Sequence, residues 1–589
     1  MRFRVLALDY DGTIAENGRL HPDVRAAIEE VRARGIAVVL VTGRILADLQ
    51  RQVGDLRFLD AVVAEGGATL AFPPQSGRSF ALAPPPPPVF LEELRRRGVS
   101  AVAGECVVEA EASLAHRVLD VIRERELPLV ILFNRSRLMV LPQSVSKATG
   151  LRDALSALRL SSHNAIGVGD AENDHALLEA CELGLAVAWG SAALKASADE
   201  VLEGTGPAAV AAYIRRVGAE PRLTRRRPHR HRLLLGFSDD GQPQLLAVRG
   251  RNVLIAGDPG SGKSWMSGLI CEQLILQRYS VCVIDPEGDY GPLEALPGVL
   301  VLGQEGPPSF RDVERAFRFP EVSVVVDLST MPPEQRLEYV PPLLHMLAAV
   351  RRETGLPHRI VVDEAHYFLE GPDAANVLDL ELAAYTLVTC QASRLDPRIL
   401  GATEAIVVTC ENDPEEVRAL RARLGGQGTE AEWREALGGV ETNRAVLLTT
   451  LEPEGVGPRR FRMAPRLTPH VRHRHKYTDV PVPAGQAFVF TRRGVPTGQS
   501  ARTLTEFAAI AASSPREDVE GHLQRHDVSR WIEDVFRDRL LAAEVFALEE
   551  RQCRAAAADV NASLAKLIRE RYLLRDATGF GPGLDAERP

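Results

Sequence analysis

The sequence has almost no lysine. Of its 70 basic residues only five are lysine, at positions 147, 195, 263, 476 and 566, and the rest are arginine. Where a positive charge alone suffices, this chain uses arginine, so a retained lysine carries more information than usual. An ammonium is a compact point charge that fits against a phosphoryl oxygen where a planar guanidinium fork does not. Paired cysteines are missing as well. The seven cysteines (106, 181, 271, 282, 390, 410 and 553) contain no CxxC pair, a pattern that points to neither a cysteine zinc site nor a disulfide framework and leaves free thiols. No apolar run approaches the ~18 residues of a membrane span, and the N-terminus lacks the apolar stretch of a secretory signal. A cytoplasmic protein with no membrane partner is expected. The net charge of −9 argues against a surface that coats nucleic acid throughout, although a local basic channel is compatible with it.

A chain of 589 residues, 45% hydrophobic and 25% charged, is an ordinary globular composition spread over about three to five domains. The first phosphate-handling pattern lies at the start. "RFRVLALDYDGT" is an apolar strand ending in Asp9, followed by Asp11 and a turn through Gly12. A carboxylate at the carboxyl edge of a parallel strand lies where open α/β sheets bind ligands. Asp9 is placed to attack phosphorus, and Asp11 to protonate the leaving oxygen and later activate water. Taken alone this motif is short, and a calcium loop or a plain turn fits it too. Three further stretches follow: "IAVVLVTGR" ends a strand at Thr42, "LPQSVSKATG" puts Lys147 at a helix start, and "NAIGVGDAENDHALL" supplies Asp170 and Asp174. Threonine and lysine suit a phosphoryl group, and the aspartates are hard oxygen ligands for Mg²⁺.

These four motifs resemble the haloacid dehalogenase (HAD) superfamily, within it the Cof-type or sucrose-phosphatase-like phosphatases, over about residues 1–215. The resemblance implies a HAD-like Rossmannoid domain with a small cap at about 68–140. It also implies Asp9 as nucleophile, Asp11 as acid/base, Thr42 and Lys147 as phosphate binders, and Asp9, Asp170 and the Asp11 carbonyl as Mg²⁺ ligands, with Asp174 a ligand or just behind one. Two features depart from the family: "AEGGATL" has Gly66 where relatives often have asparagine, and the cap region contains the stiff spacer "PPPPP" at 84–88. The phosphorylated small molecule or nucleotide that serves as substrate is left open.

Residues 216–232 read as a basic linker, with "RLTRRRPHRHR" at 222–232 lacking apolar periodicity; such a charge run is usually solvated. Strands and helices then alternate. "RNVLIAGDPGSGKSWMSGLI" is strand, glycine loop and helix, the context a phosphate-binding P-loop requires. Gly257, Asp258, Pro259, Gly260, Ser261 and Gly262 form the cradle, Lys263 reaches the β- and γ-phosphates of ATP, and Ser264 ligates Mg²⁺. "RIVVDEAH" ends a strand at Asp363, expected in the Mg²⁺ shell, and Glu364, expected to polarise the attacking water. "LVTCQASR" places Gln391 as a γ-phosphate sensor.

With "DPEGDY" at 285–290, these motifs resemble the HerA/FtsK superfamily of ring ATPases, particularly its HerA-like branch, over about 233–465. That implies a RecA-like P-loop core, a homo-hexamer and, in many relatives, movement of DNA or protein through a pore. The β-barrel that precedes the core in HerA has no room here. Arg394 is the candidate for an arginine reaching a neighbouring subunit's nucleotide.

Residues 466–589 are expected to form a mostly helical C-terminal module. Within it Trp531, Ile532, Val535, Phe536, Leu540 and Leu541 recur at helical spacing as one apolar face. His470, His473 and His475 read as solvated loop residues, and the last dozen residues as a frayed tail. The whole is expected to be an α/β multidomain enzyme, a Mg²⁺-dependent phosphomonoesterase joined to a ring-forming ATPase. Three functional readings stand: a nucleic-acid-directed motor in DNA processing or anti-phage defence, a metabolic sugar-phosphate phosphatase regulated or clustered by its ATPase, and an enzyme in which one domain is only a scaffold.

Overall fold

The structure is a computed structural model that describes residues 3–75, 78–134, 136–220, 231–248, 251–304, 306–371, 374–424, 428–441, 443–449, 458–469, 482, 484–536, 539–554 and 560–572. It is an α/β multidomain fold. Val5–Leu8, Ala37–Val41, Ala61–Ala64, Ala165–Gly169 and Leu183–Val187 are short apolar runs, buried over most of their length, and Glu200–Leu202 is a more exposed edge strand. Such runs form parallel strands covered on both faces. They are the parallel part of an eight-stranded sheet in which Val5–Leu8 sits between Ala165–Gly169 and Ala37–Val41. Helix Pro22–Ala33 and helix Gly206–Ala219 pack together on one face through Val24, Ile28, Val31, Val210, Ile214 and Val217.

The cap is smaller than the sequence suggests. Thr69–Ala71 and Ser79–Ala81, expected within it, instead continue the main sheet as antiparallel strands after Ala61–Ala64. The cap proper is a four-stranded antiparallel sheet (Ala101–Ala103, Val108–Glu111, Leu129–Asn134, Arg137–Pro142) backed by helices Pro88–Arg96 and Ala115–Glu124. Pro88 of the proline run begins the first of these helices, a position where its missing N–H costs nothing.

The second unit is an eleven-stranded sheet. Its parallel part runs Ala405–Val408, Val253–Ala256, Tyr385–Thr389, Arg359–Val362, Val281–Asp285, Ser323–Asp327, Val299–Leu302, and four antiparallel strands extend the other edge. Two expected boundaries shift. The helix ending the first unit runs to Ala219, past 215, because Val217 still packs on the core. The second unit extends past 465: the buried Glu272 of the P-loop helix accepts hydrogen bonds from Arg466 Nε (2.9 Å), Leu467 N (2.8 Å) and Thr468 N (3.1 Å).

The remaining described residues form the hairpin Phe488–Arg492/Val495–Ala501 and a set of helices around Phe488, Phe490, Phe507 and Trp531. The expected helical spacing around Trp531 is not uniform: Asp527–Trp531 passes into a wider turn at Ile532–Phe536, and Arg539–Arg554 is helical. Trp531, Ile532, Phe536 and Leu541 are buried and Val535 packs against them, while the Leu540 side chain, His470, His473, His475 and the C-terminal tail lie outside the described residues. Among the described residues no helix is long and apolar enough to cross a membrane.

The two α/β units meet at the amino ends of their parallel strands. Arg4 Nη2 donates to the Glu353 carbonyl (3.0 Å), Asn164 Nδ2 to the Gly355 carbonyl (2.9 Å) and Tyr279 Oη to Glu182 (2.7 Å). Arg159 lies over the Phe319 ring. Arg4 and Asn164 precede strands Val5–Leu8 and Ala165–Gly169, and Tyr279 and Gly355 precede Val281–Asp285 and Arg359–Val362. The carboxyl edges, where the candidate sites lie, therefore face away from the junction in both units.

Candidate active sites

In the first unit, Asp9 follows strand Val5–Leu8, Thr42 follows Ala37–Val41 and Asp170 follows Ala165–Gly169, so three adjacent strands deliver three of the predicted residues to one edge. Lys147 is the first residue of helix Lys147–Ala157, whose N-cap Ser146 forms a reciprocal capping box with Thr149. The lysine Nζ lies 2.5 Å from Asp9 Oδ1 and 2.5 Å from Asp174 Oδ1, and all three side chains are buried. Asp174 Oδ2 accepts the backbone N–H of Asp170 (3.0 Å) and Ala171 (3.1 Å). Both oxygens of Asp174 thus hold protein donors, and it aligns Lys147 and the Asp170 turn.

The carboxylate oxygens of Asp9, Asp170 and Asp174 lie within 4.8 Å of one another. Burial, and next the Asp174 carboxylate, hold Asp9 well above the ordinary carboxylate range, with Lys147 opposing. Burial disfavours the charged amine of Lys147, but Asp174 and Asp9 outweigh it and raise its pKa. Three carboxylates against one ammonium leave excess negative charge on hard oxygen donors in a buried site. That donor set fits Mg²⁺.

Two predicted residues sit apart from this cluster. The Asp11 side chain turns to Arg44, which binds it with both Nε (2.6 Å) and Nη2 (2.7 Å). Thr42 is buried, and its hydroxyl accepts the Arg44 backbone N–H (3.2 Å). Arg44 was not singled out from the sequence, although it completes the TGR motif. Of the Glu65–Gly66–Gly67 turn the sequence marked only Gly66, and the roles of Glu65 and Gly67 were not singled out. Glu65 is fully buried and accepts the N–H groups of Glu105 (3.0 Å) and Cys106 (2.8 Å), fastening the cap to the main unit. Gly67, at φ +111°, passes so close to the helix carrying Lys147 that a Cβ there would lie 2.0 Å from the Ser146 carbonyl oxygen.

The second site is built the same way. The P-loop joins strand Val253–Ala256 to helix Lys263–Leu276. At Gly257 a Cβ would lie 2.5 Å from Thr409 Oγ1, so the loop can close only on glycine. Lys263 Nζ donates to the carbonyls of Gly257 (3.0 Å) and Asp258 (2.9 Å), and Ser261 Oγ bonds Thr409 Oγ1 (2.6 Å). Pro259, Gly260 and Ser264 are half-buried or exposed along the rim. Asp258 is held by Asn412 Nδ2 (2.6 Å) and stands beside Glu411, which burial and then Asp258 push up to about 9. Neither Glu411 nor Asn412 belongs to a pattern visible in the sequence; both follow strand Ala405–Val408, which neighbours the P-loop strand.

Strand Tyr385–Thr389 lies between the P-loop strand and Arg359–Val362, so Gln391 and Asp363 come to the same edge as Lys263. Asp363 is fully buried, and its Oδ1 accepts the Glu364 N–H (3.0 Å). Glu364 is held at φ +46°, a conformation uncommon outside glycine and concentrated at functional sites. Gln391 Oε1 accepts from Arg394 Nη1 (2.9 Å), and Arg394 pairs with Glu370 of its own chain. Asp285 of "DPEGDY" has a turn-building role, accepting the N–H groups of Glu287, Gly288, Asp289 and Tyr290. Glycine cradle, lysine and strand-end carboxylates form a site suited to ATP with Mg²⁺, in which Ser264 and Asp363 are the residues that would hold the ion.

Fold and site together define two phosphate-handling α/β domains in one chain. Comparison with known proteins agrees. Residues 6–78 and 109–214 match the haloacid dehalogenase-like hydrolases, and residues 247–354 match the central domain of helicase HerA. The chain joins a HAD-like hydrolase domain to a HerA central domain. Its first part is 28% identical over 219 residues to a phosphoglycolate phosphatase of Methanosarcina acetivorans, covering 34% of this chain and 91% of that protein. It is also 28% identical over 224 residues to one of Methanopyrus kandleri, covering 36% and 94%. A solved haloacid dehalogenase-like hydrolase from Bacteroides thetaiotaomicron aligns over 37% of this chain and 100% of its own, at 18% identity and a TM-score of 0.33.

Proposed function

We infer that the chain is a bifunctional hydrolase, a Mg²⁺-dependent phosphatase of small phosphomonoesters joined to a ring-forming ATPase that acts on nucleic acid. The observation that carries the first half is the buried Lys147 bridging Asp9 and Asp174 beside Asp170. Asp9 attacks phosphorus as the ester P–O bond breaks, giving an aspartyl-phosphate, and the leaving oxygen takes its proton from Asp11. Water then attacks phosphorus, gives its proton to Asp11 and frees Asp9. Lys147 and Thr42 hold the phosphoryl oxygens. Asp9, Asp170 and the Asp11 carbonyl would hold Mg²⁺, which when bound would offset the negative charge of nucleophile and phosphate. Asp11 exchanges Arg44 for the leaving oxygen when substrate enters.

A small substrate is supported from two directions. The similar proteins are phosphoglycolate phosphatases, and the cap sits low over the site: a Cβ at Gly43 would lie 2.8 Å from Met139 Sδ. In the second half, Lys263 releases the loop carbonyls for the ATP phosphates, and Glu364 polarises the attacking water. The HerA match supports a ring with DNA as its partner. Because the two catalytic edges face away from each other, the sites do not share a substrate; any influence between them passes through the junction.

Phosphate release from phosphoglycolate, sugar phosphates, nucleotides and 5′-phosphorylated DNA, measured with and without ATP, tests this reading. Mg²⁺-dependent turnover of a small phosphomonoester and DNA-stimulated ATP hydrolysis are expected. Turnover of DNA ends alone, or of no phosphomonoester, contradicts it.

A further inference from the structure

We propose that His163, Glu182 and His231 hold one divalent cation of the zinc class at the junction between the phosphatase and ATPase units. His163 and Glu182 belong to the phosphatase unit, preceding strands Ala165–Gly169 and Leu183–Val187, and His231 immediately precedes the first strand of the ATPase unit, Arg232–Phe237. The Glu182 side chain is fully buried, that of His163 is 4% exposed and that of His231 14%. His163 Nδ1 lies 3.0 Å and His231 Nε2 3.9 Å from Glu182 Oε2, and one ligand atom from each residue falls within 4.8 Å of the others.

The hydrogen bonding orients His163, while His231 Nε2 lies 3.5 Å from the Cys181 carbonyl and has to give up that contact to ligate. His163 Nε2 is 2.8 Å from the Gln277 carbonyl, which can only accept, so Nε2 carries the proton and Nδ1 faces the carboxylate. A lone pair aimed at a carboxylate oxygen needs a positive centre between them. A histidine whose far nitrogen donates to a backbone carbonyl is the usual posture of a metal-bound imidazole. Tyr279 stacks on the His163 ring with centroids 3.5 Å apart and donates to the same Glu182 oxygen at 2.7 Å, fixing both from the ATPase side. Two imidazole nitrogens and one carboxylate oxygen suit Zn²⁺ and leave Mg²⁺ at a disadvantage. Bound there, the cation ties His231 to the phosphatase unit and so clamps the two units across the intervening linker.

The test uses the full chain, stripped of metal and titrated with Co²⁺ in excess Mg²⁺, which occupies the oxygen-rich sites. A visible ligand-field band that saturates at one equivalent and is displaced by Zn²⁺ is expected. His231→Gln and His163→Gln should each abolish the band and weaken Zn²⁺ binding at least about 100-fold, the upper end of what losing even an outer partner costs. Tyr279→Phe, which keeps all three ligands, should retain the band. X-ray absorption of the Co²⁺-loaded parent needs no variant and should show imidazole scattering. Absence of Co²⁺ binding in excess Mg²⁺, a band unchanged in both histidine variants, or an oxygen-only shell would overturn the proposal and leave a proton as the occupant.

Discussion

Replacing Gly67 with alanine should disable the phosphatase without touching its catalytic residues. The added Cβ would lie 2.0 Å from the Ser146 carbonyl oxygen and 3.1 Å from the Lys147 nitrogen. A carbon–oxygen contact relaxes to ~3.3 Å, so the gap has to open by more than 1 Å. Ser146 caps the helix that begins at Lys147, and the cap cannot retreat alone. Lys147 then withdraws from Asp9 and Asp174, and a misplacement of ~1 Å at a positioned group costs ~100-fold in rate. Gly54→Ala separates this steric effect from backbone strain. Gly54 also has positive φ (+77°, with ψ −119°) but has nothing within 4 Å of its would-be Cβ; alanine there bears only backbone strain, ~1–3 kcal/mol, and should leave turnover unchanged. Steady-state kinetics on the best phosphomonoester should show kcat reduced in Gly67→Ala only, with ATP hydrolysis intact in both. A Gly67→Ala enzyme within ~threefold of the parent would refute the claim that this turn positions Lys147.

Mg²⁺ binding to the phosphatase site should weaken as pH falls. The metal-free Asp9 carboxyl is held well above its ordinary range by burial and by Asp174, so it takes up a proton at higher pH than a free carboxyl and that proton competes with Mg²⁺; calorimetry in buffers of different ionisation enthalpy should report increasing proton release on Mg²⁺ binding as pH falls, and a buffer-independent enthalpy throughout would contradict it. Lys263→Ala should abolish detectable ATP binding in an equilibrium assay while leaving phosphatase turnover at the parent rate. On the proposed ring, in which a neighbour's arginine would complete each site, specific ATPase activity should rise with protein concentration; a monomer with full, concentration-independent activity would remove the proposed hexamer and the translocation reading with it.

Much of this architecture was legible because strand-end chemistry is local. Asp9, Thr42, Asp170 and Asp363 each close an apolar run, Lys147 opens a helix behind a serine cap, and the P-loop lies between a strand and a helix. What escaped depends on contacts distant in sequence. Arg44 reaches Asp11 across 33 positions, Gly67 meets Ser146, and Tyr279 meets Glu182 across 97; no periodicity encodes such pairs. The cap boundary was misplaced because nothing local in Thr69–Ala71 or Ser79–Ala81 marks them as part of the main sheet; only the pairing of the first with Ala61–Ala64, and of the second with the first, assigns them there. Arg394 could be proposed as an arginine acting on a neighbour, but the sequence could not show that Glu370 of its own chain engages it.

The central claim is that one polypeptide carries two independent hydrolytic sites. Phosphate release from a small phosphomonoester and from ATP, measured side by side for the parent, Asp9→Asn and Glu364→Gln, tests it most directly. Asp9→Asn should lose phosphomonoester turnover and keep ATP hydrolysis. Glu364→Gln should keep phosphomonoester turnover and hydrolyse ATP at least ~100-fold more slowly, the scale of a lost positioned base. If either substitution removed both activities, or neither removed its own, the assignment of two separate sites would be wrong.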